Sequence, residues 1–398
     1  MNISTAAPPL SLNRVVRAQA LAITGQLANH RLASFPPTAT KEFRKLTPSE
    51  TIRYLGVTDS YLRRIASELN GPTEPGHPRR SYTLEDVATL RQVMDRSART
   101  PGKYVPHRRD NEHLQCIAIV NFKGGSGKTT TAANLSQFLA LNGFRTLAID
   151  LDPQASLTTL FGLAPEVIAP GQTLYGALRY DSERLPIRAV IRKTYIPGLD
   201  LIPAAIELME FEHETPRILT KSQSPDLFLR RVTDELDAVD SDYDLVIIDC
   251  PPQLGFLTLS ALGAATSVLV TVHPQMLDVM SMGQFLTMLS ELLDVVASAT
   301  KSGVLPFDWI RYLITRFEPS DGPQNQMMGF LRAILGDSIL QNATLKSTAI
   351  SDAGLTSQTI YEVDRNLFTR STYDRALDSV NAVNGEILNL IRSVWGRA

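Results

Sequence analysis

Short apolar runs separated by longer helical stretches set the outline of this chain. Residues 116–120, 146–151 and 244–248 each carry a run long enough for one strand, and residues 199–204, 264–272 and 309–315 add three more. Apolar runs without polar alternation suit parallel strands covered on both faces. Between them, residues 129–141, 227–239, 282–299 and 324–335 read as helices. Alternation at this spacing predicts an α/β fold, a doubly wound parallel sheet. The strand of residues 116–120 should lie centrally, with ligands at the carboxyl edge.

The first quarter is patterned differently. Val16, Ala20, Ile23 and Leu27 recur at helical spacing, one apolar stripe across three turns. Gly25 within it costs about 1 kcal/mol relative to alanine. A lone helix has no core of its own, so residues 1–40 are expected either to dock on the rest of the chain or to pair with a second copy. Thr47, Pro48 and Glu50 then form a helix start, with Thr47 as cap, and Gly56 ends that helix. Thr58 or Asp59 caps a second helix bearing Tyr61, Arg63 and Arg64. A short helix, a glycine turn and a basic second helix make a helix-turn-helix pattern. Arg79 and Arg80 suit a basic wing, and residues 84–94 read as a further helix with Leu84, Val87, Leu90 and Val93 on one side. The segment resembles a MerR-like winged helix-turn-helix, with Tyr61, Arg63, Arg64, Arg79 and Arg80 as its DNA-contact candidates. Domains are therefore expected at 1–40, 41–97 and 113–398, with 98–112 as a linker rich in charge and turn formers.

Charge supports that division. Residues 1–110 hold 17 Lys/Arg against 9 Asp/Glu, a balance of +8, whereas the remainder holds 22 against 32, a balance of −10. A basic front on an acidic remainder suits an anionic partner for the front. Hydrophobic residues at 43% are ordinary for a globular protein, and no apolar stretch is long enough to cross a bilayer. Nothing at the N-terminus reads as a signal peptide, so a cytoplasmic location is expected. The two cysteines, Cys116 and Cys250, fall on buried strands and read as inert core residues.

The chemistry sits after the first strand of the second part. Asn121-Phe122-Lys123-Gly124-Gly125-Ser126-Gly127-Lys128-Thr129-Thr130 joins that strand to a helix. The ordinary phosphate loop needs a glycine at position 122, where this chain has Phe122. The glycines nevertheless let backbone N–H groups approach phosphate oxygens, and the helix start favours an anion. Lys128 is expected on the terminal phosphates and Thr129 on Mg²⁺. Lys123, five residues earlier, is a second cation that such a loop does not require. Asp150 and Asp152 close one strand and Asp249 another, Asp249 fitting the Mg²⁺ carboxylate of a P-loop NTPase.

Taken together, Lys-Gly-Gly-x-Gly-Lys-Thr-Thr, Asp-x-Asp-Pro-Gln and the run into Asp-x-Pro-Pro resemble the ParA/MinD group of deviant P-loop ATPases, across residues 114–398. Asp-Pro-Gln and residues 155–158 resemble its partition branch, and residues 367–377 resemble the RepA partition proteins of repABC replicons. The resemblance implies a slow, partner-stimulated ATPase that uses ATP and Mg²⁺. It implies an ATP-sandwich homodimer in which Lys123 reaches the partner's nucleotide. Asp152 would position the attacking water and Asp150 would support the metal and loop. Gly124, Gly125, Ser126, Gly127, Lys128, Thr129 and Thr130 would cradle the phosphates, and Arg316, at the end of a later strand, is expected either near the adenine or in a surface salt bridge. Serine at position 126 departs from the family's usual valine. The resemblance further implies non-specific DNA binding by the ATP dimer, for which Arg365, Arg370 and Arg375 are candidates. It also implies a ParB-type centromere-binding partner, nucleoid association and repression of the chain's own operon.

Two other functions compete. A MinD-like membrane-surface ATPase needs a basic amphipathic tail, but residues 386–397 hold only two arginines and read as a packing helix. A nucleotide-responsive transcriptional repressor would use ATP as a ligand alone. A cluster-bearing relative such as the nitrogenase iron protein lacks its surface cysteine pair here.

Overall fold

The computed structural model describes residues 11–34, 41–70, 81–221, 227–299 and 306–397. Seven strands build one sheet: β1 (Gln115–Val120), β2 (Thr146–Asp150), β3 (Arg192–Lys193), β4 (Leu199–Ile202), β5 (Leu245–Asp249), β6 (Ser267–Val272) and β7 (Trp309–Ile314). Their order is β3-β4-β2-β5-β1-β6-β7. β1 pairs in parallel with β5 on one side and β6 on the other, which places the strand before the phosphate loop inside the sheet. The expected parallel sheet is present with one departure. β3 is a two-residue antiparallel edge strand, Arg192 facing Leu201, too short to leave an apolar run in the sequence.

Both faces of the sheet are covered. Ile117 and Ile119 of β1 face one core, while Cys116, Ala118 and Val120 face the other. This alternation inside a fully apolar strand is the period-two geometry of the pleat. Both cysteines are buried free thiols, as core residues should be. On the Ile117 side lie α5 (Lys128–Leu141) and the long C-terminal α15 (Arg370–Val394).

Earlier in the chain come α1 (Leu12–Ser34), α2 (Pro48–Leu55), α3 (Asp59–Asn70) and α4 (Leu84–Arg96). Residues 1–42 and 43–398 divide as two compact units. In the first, Val16 and Ile23 of the expected stripe are exposed. In the second, α2 has the expected cap in full: Thr47 and Glu50 form a capping box, Pro48 opens the helix, and Gly56 ends it at φ 64°. The Thr58 carbonyl accepts the first α3 turn from Leu62 N–H. Thr83 and Asp86 make a second capping box at α4, and Leu46 pairs with Tyr82 across an antiparallel bridge.

Helices α2, α3 and α4 share the core of the sheet. Leu55, Leu62, Leu84, Leu90 and Met94 belong to the same buried cluster as α5 and α15. The linker segment is tied down too. Arg397 binds Glu112 and the carbonyls of Pro106 and His107, while Arg108 binds Asp240. Asp95 accepts three backbone N–H bonds from Gly102, Tyr104 and Val105.

The remaining helices are α6 (Ser156–Leu160), α7 (Leu174–Leu178), α8 (Ile187–Val190), α9 (Met209–Leu219), α10 (Leu227–Asp237), α11 (Phe256–Ala264), α12 (Met276–Ala299), α13 (Gly322–Leu335) and α14 (Thr348–Leu355). α12 begins six residues earlier than its apolar run suggested. The tail behaves as a packing helix: Ile387, Leu388, Ile391 and Trp395 are buried in the α5 core. Among the described residues, no helix is long and apolar enough to cross a membrane.

Candidate functional site

The carboxyl edge of β1, β2 and β5 opens onto a cleft of about 590 Å³. Its floor is the loop from β1 to α5. Gly125 (φ 77°) and Gly127 (φ 88°) both take left-handed backbone that a side chain would strain, and they turn the loop around the helix start. Gly124, Gly125, Gly127, Lys128, Thr129 and Thr130 line the cleft, as do Asp152 and Arg316. Ser126 faces inward instead. Its hydroxyl lies 3.0 Å from Thr271 Oγ1, and its carbonyl accepts from Thr315 Oγ1 at 2.7 Å. The serine therefore ties the loop to β6, a job that valine could not do.

The two lysines behave differently. Lys128 is buried, and its Nζ donates to the Lys123 carbonyl at 3.2 Å. Burial lowers its pKa, against the pull of Asp249 and Asp152. Lys123 does not line the cleft. Its side chain is 42% exposed, its ammonium pairs with Asp278 on α12 at 2.6 Å, and His273 lies 3.6 Å from the other oxygen. Phe122 stacks on Phe285 beside it, and Met276, Leu277 and Met280 of α12 are exposed. Sequence reasoning gave Asp278 no role. Its one signal is that it is the sole charged residue between Pro274 and Ser290.

The three acids separate in the same way. Asp249 is fully buried, and apart from the Thr129 hydroxyl beside it neither oxygen has a hydrogen-bond partner. Burial and the neighbouring Asp150 push its pKa well up, opposed by Thr129 and Lys128. A buried carboxylate left bare beside a threonine hydroxyl and a helix N-terminus suits a hard divalent cation that takes its other ligands from phosphate and water. Asp150 is occupied. It accepts from Thr158 N–H and Oγ1 at 2.8 and 2.7 Å and from Asp152 N–H at 3.1 Å, and burial raises its pKa to about 7. It shapes the loop, and both its oxygens are already committed. Asp152 is half-buried at the cleft wall and accepts from Gln154 N–H.

Arg316 sits at the end of β7 in left-handed backbone (φ 52°) and donates to the Gly125 carbonyl at 3.2 Å. This places it against the phosphate loop. The far end of the cleft is lined by Lys346, Ser347, Asn134 and Asn384, none of which the motifs pointed to.

Among the described residues, the DNA-contact candidates do not line the cleft. Arg63 pairs with Asp59 and Arg64 with Glu68, both well exposed, and the Arg64 guanidinium packs on Tyr61. Arg79 and Arg80 lie outside the described residues. Arg365 and Arg370 share Asp374, while Arg375 is exposed on α15.

Comparison with known proteins places this geometry. A family model described as an AAA domain matches residues 114–301. The chain is 56% identical to a Rhizobium rhizogenes protein carrying the name replication protein A, over 100% of this chain and 99% of the relative. It is 31% identical to the chromosome partitioning protein ParA of Caulobacter vibrioides, over 60% of this chain and 84% of the relative. Among solved structures it resembles cobyrinic acid a,c-diamide synthase from Mycobacterium smegmatis with bound ATP analog and magnesium. That match has TM-score 0.50 and 27% identity, covering 61% of this chain and 91% of the other.

Proposed function

Because the chain belongs to the ParA/MinD family of P-loop ATPases, alongside the rhizobial replication protein A, we propose that it is a DNA-partitioning ATPase whose ATP sites are completed across a homodimer. The observation that carries this reading is the division of labour between the lysines. Lys128 serves its own cleft, whereas Lys123 points away from it, held by Asp278 on an exposed face with Phe122, Met276 and Leu277. A cation placed outside its own site is available to a facing copy.

ATP would lie with its phosphates on the N–H groups of residues 124–129, Lys128 on the terminal phosphates, and Mg²⁺ held by Thr129 and Asp249. The metal would neutralise phosphate charge during transfer to water. Asp152 would orient that water, and Asp150 would fix the Asp152 loop through Thr158. On dimerisation Lys123 exchanges Asp278 for the partner's phosphates. The cycle is slow until a ParB-type centromere-binding protein stimulates it.

The α2–α3 pair with its Gly56 turn supports operator recognition through Tyr61, Arg63 and Arg64, with Arg79 and Arg80 as wing contacts. The ATP dimer would hold non-specific DNA through Arg365, Arg370 and Arg375, giving nucleoid association in the cytoplasm. Operator binding by the front segment would repress the chain's own operon. α1, with its exposed Val16 and Ile23, would pair with a second copy. The buried apolar side of α15 speaks against a membrane-binding tail.

A plasmid-retention assay tests the whole reading. Lys123→Ala should lose retention and ATP-specific assembly while keeping operator binding. Normal retention in that variant sinks the sandwich mechanism.

A further inference from the structure

Helix α2 is gripped at both ends by arginines that also bind segments leading towards the nucleotide cleft. At its C-terminal end stands Arg91 of α4, 8% exposed. Its Nη2 donates to Tyr54 O at 2.8 Å and Leu141 O at 2.9 Å, and its Nη1 to Tyr104 O at 2.9 Å. All three acceptors are main-chain carbonyls from different segments. Leu141 is the last residue of α5, whose first residue is Lys128. The fit is tight: a Cβ on Gly143 would fall 2.7 Å from Arg91 Cδ.

At the N-terminal end, Arg44 binds Glu50 of the α2 capping box. Its Nε donates to Tyr361 O at 2.9 Å and its Nη2 to Tyr373 Oη at 3.4 Å. The Tyr361 hydroxyl accepts from Asn384 Nδ2 at 3.1 Å, and the same amide reaches Asn134 O at 3.3 Å. Asn134 and Asn384 both line the cleft.

We propose that Arg91 and Arg44 form a paired joint that transmits occupancy of the cleft to α2 and α3. This rests on the nucleotide reading and does not require that α3 bind DNA. α5 is a single helix about 21 Å long, so a shift of its N-terminus over bound phosphate carries its terminal carbonyl with it. Arg91 passes that shift to the end of α2. α15 carries the second connection, from Asn384 to Tyr373 and Arg44. Because coupling is reciprocal, whatever binds α2 and α3 changes nucleotide affinity by the same factor.

Hydrogen exchange on the full-length chain, with Mg²⁺-ADP and without nucleotide, tests the joint. In the wild type, ADP should change exchange in residues 48–70 by about threefold or more as well as protecting the phosphate loop. Arg91→Lys and Arg44→Lys keep the charge but lose the fork. Each should diminish the response at 48–70, and the double variant should abolish it, while the loop stays protected and ADP affinity stays within about threefold. If Arg91→Lys does not fold, Arg44→Lys alone carries the comparison. Loop protection without a response at 48–70 in the wild type overturns the joint, as does a lysine variant that responds like the wild type. Failure of ADP to protect the loop at all overturns the nucleotide reading, and the joint with it.

Discussion

At the scale of the residue, the site is a set of unequal pairs. Asp249 and Asp150 are both fully buried, yet Asp150 spends its oxygens on Thr158 and Asp152 while Asp249 has nothing beyond the nearby Thr129 hydroxyl. A bare buried carboxylate is costly without a cation. Asp249→Asn should therefore raise the thermal stability of the nucleotide-free protein, by about 1 kcal/mol. It should also remove the Mg²⁺-dependent part of ATP affinity, about tenfold or more. Melting curves and calorimetry with Mg²⁺ or a chelator check both effects, and an unchanged Mg²⁺ dependence removes Asp249 from the metal. Ser126→Val should cost about 1 kcal/mol, because it strands the Thr271 hydroxyl, and leave ATP affinity unchanged. Stability of that variant at or above wild type contradicts the tether to β6.

At the scale of the element, α2 shows local rules and tertiary packing agreeing. Burial alone would raise the Glu50 pKa, but Arg44 and the Thr47 N–H and hydroxyl outweigh it and hold the carboxyl below its ordinary value. A depressed folded pKa gives stability that is present above the ordinary value of about 4.3 and lost as pH falls through the folded one. Glu50→Gln should cost about 1–2 kcal/mol at pH 7, with the gap to wild type closing below pH 4. Denaturant titrations at the two pH values check this, and a pH-independent gap refutes it. The capping box, the Gly56 stop, the six parallel strands with their longer helices, and the phosphate loop were legible in the sequence, because each rests on neighbours in the chain, whereas the two-residue β3 and the short helices left no run long enough to read. Three long-range features were not legible either. The tethered segment 98–112 depends on Arg397, nearly three hundred residues away. The end of the cleft formed by Asn134 and Asn384 joins α5 to α15. The Lys123–Asp278 pair joins a loop to a helix that starts six residues before its apolar run. Local pattern carries no information about such pairings.

At the scale of the whole molecule, α2, α3 and α4 share one buried core with the ATPase region, and the basic candidates among the described residues do not line the cleft. If α15 contributes to non-specific DNA binding in the ATP state, affinity should fall linearly in log[salt]. Arg375→Ala should lower that slope by about one. Arg365→Ala should matter less, because its guanidinium is pinned to Asp374 at 2.6 Å. Equal slopes in wild type and Arg375→Ala move the DNA surface elsewhere.

The central claim is that each ATP is served by Lys128 and Asp152 from one copy and by Lys123 from the other. Mixing Lys123→Ala with Asp152→Ala tests it directly, with phosphate release as the readout. Each variant alone should bind ATP yet release almost no phosphate. In the mixture, every mixed dimer holds one site with both groups intact, so phosphate release should return. Continued silence in a mixture in which both variants are loaded with ATP and sizing shows mixed dimers would contradict the account, as would wild-type release by Lys123→Ala alone.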